Sequence, residues 1–254
     1  MPLSTQTTIE GITSTAKLTK RPDSQSASSP MRLTGSGELV VRDSGLSGLC
    51  EEGSLLLCTN PAVSTGMIWV AAQTAYADTV GNFYIGNTEP VGGQSIAPKY
   101  LKLIATAAAT AGTVWHYAAI LDSVARYPTT ANIAAITPVN PNGGAINASA
   151  PTVLVQNSAT PSVYPASSAG KRIVARGVLG GLNIVGDSFT IAFGELLGAS
   201  PALTAAEEGT QSGARVASSP PVLIPPGGSL LISLWSPSSS ASFAPEFELL
   251  MAVK

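Results

Sequence analysis

The chain has 254 residues, 44% apolar and only 11% charged, with a net charge of −2, whereas an average domain carries about 25% charged residues. That length supports one large β domain or two small ones with a real core. The balance argues against nucleic acid as the main partner, since phosphate neutralisation needs clustered Lys and Arg, and no uncharged apolar run reaches the roughly 18 residues of a membrane helix.

So few charges protect a surface poorly against association. Either the exterior is a tolerant Ser/Thr-rich one or much of it is buried against other subunits, and burial in an assembly is the expectation carried forward. MPLSTQTTIEG lacks the basic head and apolar stretch of a signal peptide. The protein is therefore expected to stay in the cytoplasm or to leave it by cell lysis.

Residues 1–45 are rich in Ser, Thr and Gln with isolated apolar residues, and they read as an extended arm. The longest basic cluster, Lys17, Lys20 and Arg21, lies in this arm, and Glu38–Arg42 has the pattern of a short strand. From Leu46 the pattern turns to β. Ser54–Thr59, stopped by Asn60-Pro61, reads as a strand, as do Met67–Ala72 and Phe83–Ile85. Tyr100–Ala107 and Thr113–Asp122 are expected to form an antiparallel pair, with an Ala-rich helix over 101–111 as the alternative for the first.

A long linker, 128–150, follows Tyr127-Pro128 and contains the turn signal Asn140-Pro141-Asn142-Gly143-Gly144. Thr152–Gln156, Val163-Tyr164, Lys171–Leu179 and Asp187–Phe193 continue the strands, with Phe189, Ile191 and Phe193 on one parity. Residues 199–220 read as a polar loop with at most one helical turn, Leu203–Glu208. After the turn Pro225-Pro226-Gly227-Gly228 comes the apolar run Leu230–Trp235. The last segment alternates, with Phe243, Pro245, Phe247, Leu249, Met251 and Val253 on one face. These two closing strands form either a hairpin or strands of facing sheets.

The fold class is therefore all-β: a β-sandwich or jelly roll of about 8–10 antiparallel strands, residues 46–254, preceded by the arm. The 128–150 linker is the one candidate division.

The search for chemistry yields little. His116 is the single histidine, set between Trp115 and Tyr117 in a strand, and a strand histidine at a contact or in a polar pocket is the expected reading. Glu51-Glu52 and Glu207-Glu208 are adjacent carboxylates of the kind that loops leave solvated, not a glycosidase pair. Asp78, Asp122 and Asp187 fall in no calcium-loop pattern, and the paired glycines match no phosphate-binding spacing. Cys50 and Cys58 cannot build a zinc site alone. A disulfide across a hairpin is geometrically open to them, but without a secretory signal reduced, buried thiols are expected. No enzyme activity, metal or cofactor is expected.

Three stretches resemble tailed-bacteriophage virion proteins. They are Cys50–Leu55 with Thr59-Asn60-Pro61 and Ser64-Thr65-Gly66; Tyr100–Ile104 through Gly112-Thr113, His116-Tyr117 and Leu121-Asp122 to Arg126-Tyr127; and Gly186–Phe189 to Phe193-Gly194. The likeness covers about residues 50–195 and departs at the cysteines. It implies a virion structural protein, on head or tail, assembled in the host cytoplasm.

Taken with the arm and the low charge, it leads to the expectation of a non-enzymatic capsid decoration (cement) protein. Such a protein would form a homo-oligomer, a trimer, and bind the major capsid protein or other virion proteins, with neither nucleic acid nor membrane as partner. Trp69, Trp115, Tyr117 and Trp235 are interface candidates on residue type, with core positions as the alternative, and Lys17, Lys20 and Arg21 are candidates on the arm. The alternative function is a tail or fibre protein whose loops 129–150 and 199–220 bind a host receptor or glycan.

Overall fold

The computed structural model describes residues 49–50, 53–62, 66–67, 69–70, 73–107, 114–129, 132–144, 146, 151–158, 160–179, 185–194, 214–237 and 242–254. The chain divides into two units, Met1–Gly48 and Leu49–Lys254, and all described residues belong to the second. The arm with Lys17, Lys20, Arg21 and the Glu38–Arg42 strand, the two glutamate pairs, and the Leu203–Glu208 turn lie outside the described residues.

The described strands are, in chain order, β1 (Leu55–Thr59), β2 (Trp69–Val70), β3 (Val80–Gly81), β4 (Phe83–Gly86), β5 (Ile96–Ala105), β6 (Trp115–Asp122), β7 (Ile133–Ile136), β8 (Thr152–Gln156), β9 (Ser162–Val163), β10 (Arg172–Leu179), β11 (Ser188–Phe193), β12 (Ala214–Ser219), β13 (Ser229–Trp235), β14 (Ser242–Phe243) and β15 (Pro245–Val253). They build a five-stranded sheet, β1-β15-β5-β11-β12, and a six-stranded sheet, β10-β6-β13-β4-β8-β7, with two short pairs, β14-β2 and β3-β9.

The protein is all-β, and the two large sheets face each other across one apolar core. Leu56 and Cys58 of β1, Leu101 and Leu103 of β5, Phe189 and Ile191 of β11 and Phe247, Leu249, Met251 and Val253 of β15 meet Phe83, Ile85, Trp115, Tyr117, Val153, Leu230 and Ile232 from the other sheet. An edge-on contact of Phe83 with Phe247, ring centroids 5.0 Å apart, joins the layers. Such a pair adds about 1 kcal/mol beyond its buried area.

Four antiparallel pairings are nested: β1 with β15, β4 with β13, β5 with β11, and β6 with β10. Early strands thus pair with late ones, as in a long ribbon folded over on itself. β8 and β7 extend the β4 edge, and β12 lies beside β11.

The apolar run of β13 follows from burial on both faces. Leu230, Ile232 and Leu234 enter the main core, while Leu231 joins Tyr84, Leu154 and Tyr164 on the outer face. β15 alternates as expected through a register shift at Leu250/Met251: Phe247, Leu249, Met251 and Val253 enter the core, while Leu250 and Ala252 pack with Leu49 and Leu55 on the other face. The two closing strands lie in opposite sheets, so of the two arrangements left open the facing-sheet one is present.

Four expectations are corrected. β5 and β6 do not pair with each other: β5 lies between β15 and β11, and β6 between β10 and β13. The 128–150 linker contains a strand, β7, paired with β8, and its turn is docked. Leu57 and Val139 exchange two backbone hydrogen bonds of 2.8 and 2.9 Å, and the amides of Asn140 and Asn142 donate to the Cys50 carbonyl. The polar loop 199–220 ends in β12. That strand is parallel to β11, so the strands are not all antiparallel, and the described ones outnumber eight to ten.

Candidate interaction surface

His116 faces outward from β6, and its ring stacks on Trp235 at 5.6 Å and 16°. Trp235, half-buried on β13, also meets Tyr76 at 5.5 Å. Beside this aromatic row Val114 and Val178 are exposed. Trp115 and Tyr117 point the other way, at 2% and 3% exposure, and pack between the sheets. Burial removes both from the surface of the single chain, leaving Trp235 as the surface member of the aromatic candidates whose side chains are described. Trp69 pairs with Phe243 in the β2–β14 ladder.

Four charged residues at one end of this face, Asp78, Asp122, Arg126 and Lys171, are committed to one another. Asp122, the last residue of β6, is fully buried. It accepts hydrogen bonds from the Ser168 amide (2.8 Å), the Ser168 hydroxyl and the Val124 amide (3.2 Å). Arg126 Nε lies 3.4 Å from its carboxylate, and Arg126 Nη1 donates to the carbonyls of Asp78 (2.8 Å) and Pro165 (3.1 Å). The Asp78 carboxylate receives Lys171 Nζ and the Ser167 hydroxyl, each at 2.6 Å.

Burial works to raise the Asp122 pKa, but the Ser168 and Val124 hydrogen bonds and Arg126 outweigh it and hold the carboxyl below its usual range. Asp78 is lowered chiefly by its hydrogen bond from Lys171. With their oxygens so occupied and two cations adjacent, these carboxylates form a clasp that pins residues 160–171 to the sheet, not a metal site. Among the described residues no group of three or more His, Cys, Asp and Glu is gathered for a metal. Cys50 is half-buried and its thiol donates to Asn140 Oδ1 at 3.4 Å; Cys58 lies in the core, where burial pushes its pKa up to about 12, and both are free.

β10 is the outer strand of its sheet, and its exposed side chains are Arg172, Ile173, Arg176 and Val178. Between β10 and the end of β12 runs a groove of about 420 Å³, with Tyr117 at its floor, Ile173 and Arg176 on one wall, and Ser218, Ser219 and Pro220 on the other. No sequence motif marks this groove. The rarity of charge was a usable signal for the clasp, because in a chain only 11% charged a cluster such as Asp122 and Arg126 stands out.

Fold and surface together define an all-β, two-sheet domain with an exposed apolar and basic edge. Comparison of the chain with protein-family models, with curated proteins and with solved structures finds no match.

Proposed function

We propose that this is a non-enzymatic phage virion structural protein, a capsid decoration protein that forms a trimer and stabilises the head surface. The observation that carries the reading is the nested pairing of β1:β15, β4:β13, β5:β11 and β6:β10. It leaves two four-stranded sets, β1-β15-β5-β11 and β4-β13-β6-β10. This order supports reading the domain as a jelly roll, an architecture of viral capsid domains. Fold alone does not fix function, and the virion-protein resemblance of residues 50–195 supplies the class. Exposed Val178 and Val114 beside the half-buried Trp235, on the outer face of the sheet and not along the edge of β10, provide apolar area for subunit contact.

The test is to mix the purified protein with undecorated heads and count bound copies after sedimentation. Saturable binding in many copies, with heads then more resistant to heat, is the expected result. Deleting residues 1–40 is expected to leave the oligomer folded and to abolish head binding. Adsorption to host cells or tails in place of heads would favour the second reading, receptor or glycan binding. That reading draws on the Tyr76–Trp235–His116 row and on the use of jelly rolls as lectin domains.

A further inference from the structure

We infer that the groove between β10 and the end of β12 binds an extended acidic segment of a partner protein, one carboxylate of which is held by the Tyr117 hydroxyl and Arg176. The inference stands apart from the virion reading, since it concerns a binding event measurable on the isolated protein.

The floor of the groove is the first argument. Tyr117 is only 3% exposed, and its ring is fixed in the core against Phe189 at 5.8 Å. Gly177 allows that placement, because a Cβ there would stand 2.9 Å from Tyr117 Cε1 and 3.1 Å from its hydroxyl. The hydroxyl makes no hydrogen bond to a described residue, and it borders the groove. The groove therefore presents a hydroxyl at its floor that can donate to a ligand oxygen arriving along it. The volume of about 420 Å³ lies within the usual range of ligand sites, roughly 300–1,000 Å³.

Charge decides the class of occupant. Arg172 and Arg176 are exposed, and neither is paired with a described acidic side chain, whereas neighbouring Lys171 is already matched to Asp78. Two copies of β10 laid edge to edge would bring arginines together, which disfavours a second copy through this strand. An acidic segment gains from the same charges. The outer edge of β10 offers backbone donors and acceptors to an extended chain. The register shift between Ile173 and Ala175 limits that pairing to a short stretch, so side-chain contacts in the groove carry the selectivity.

The test uses a fluorescein-labelled glutamate decamer as probe, with a glutamine decamer and duplex DNA of matched length as comparators, read by anisotropy at low and high salt. The glutamate decamer is expected to bind, more weakly as salt rises, and the glutamine decamer not to bind. Tyr117→Phe removes only the hydroxyl and is expected to weaken binding about two- to tenfold. The double variant Arg172→Glu, Arg176→Glu is expected to abolish it, with an unchanged melting temperature showing that the domain is intact. Equal binding of the two decamers, preference for DNA, or unaltered binding by Tyr117→Phe would overturn the inference.

Discussion

Replacing Asp122 by Asn tests whether the clasp on the outer face holds the fold together. The substitution keeps shape and removes one charge, leaving Arg126, 3% exposed, without the carboxylate that lies 3.4 Å from its Nε. It also turns an acceptor of three hydrogen bonds into a group whose amide must face donors from Ser168 and Val124. Breaking a buried pair on one side costs about 3–5 kcal/mol. Arg126 retains two carbonyl acceptors, Asp78 and Pro165, so the expected loss is near the lower end, about 3 kcal/mol. That is a large share of a total stability of about 5–15 kcal/mol.

Urea unfolding followed by tryptophan fluorescence at neutral pH reads this as a lower midpoint at constant slope. Adding Arg126→Met to the same chain should recover much of the loss, because no uncompensated charge then remains. The folded Asp122 pKa is depressed, so its stabilisation is complete above the unfolded value of about 3.9 and is lost as pH falls through the lower, folded one. The gap between wild type and Asp122→Asn should therefore narrow in strong acid. A loss under about 0.5 kcal/mol at neutral pH, the scatter of ordinary surface substitutions, would refute the reasoning.

Two further outcomes are expected. Phe247→Ala, which empties a 2%-exposed site against Phe83, should cost about 3–5 kcal/mol, read as a lower urea midpoint. A thiol reagent at pH 8 should modify half-buried Cys50 in the folded protein and Cys58 only after denaturation, since core burial raises the Cys58 thiol to about 12; mass spectrometry of the peptides distinguishes them.

The strands of the core were legible because their apolar residues recur with period two. Phe189, Ile191 and Phe193 all enter the core, as do Phe247, Leu249, Met251 and Val253. Pairing was not legible. β5 and β6 are adjacent in sequence and each alternates well, but alternation encodes which face is buried and not which strand lies alongside. β7 was hidden because Ile133–Ile136 is a small edge strand of half-buried and exposed residues with little contrast between its faces. β12 was hidden because its residues, Ala-Arg-Val-Ala-Ser-Ser, match the polar composition of a loop. The tryptophans showed that residue type does not assign location: Trp115 is in the core and Trp235 at the surface, although their strands are paired neighbours. The Tyr117 floor of the groove depends on Gly177 across the sheet, a relation that exists only after pairing.

The nested ribbon has a consequence for how the domain is made. β15 lies inside its sheet, between β1 and β5, and Leu55 is matched with Ala252. While the ribosome is still translating, β1 and β5 emerge long before the strand that belongs between them. Distant pairings of this kind fold slowly, and their exposed edges are prone to aggregate in the interval. Until residues 245–253 leave the exit tunnel the sheet lacks its inner strand, so β1 and β5 wait without it through the synthesis of most of the domain.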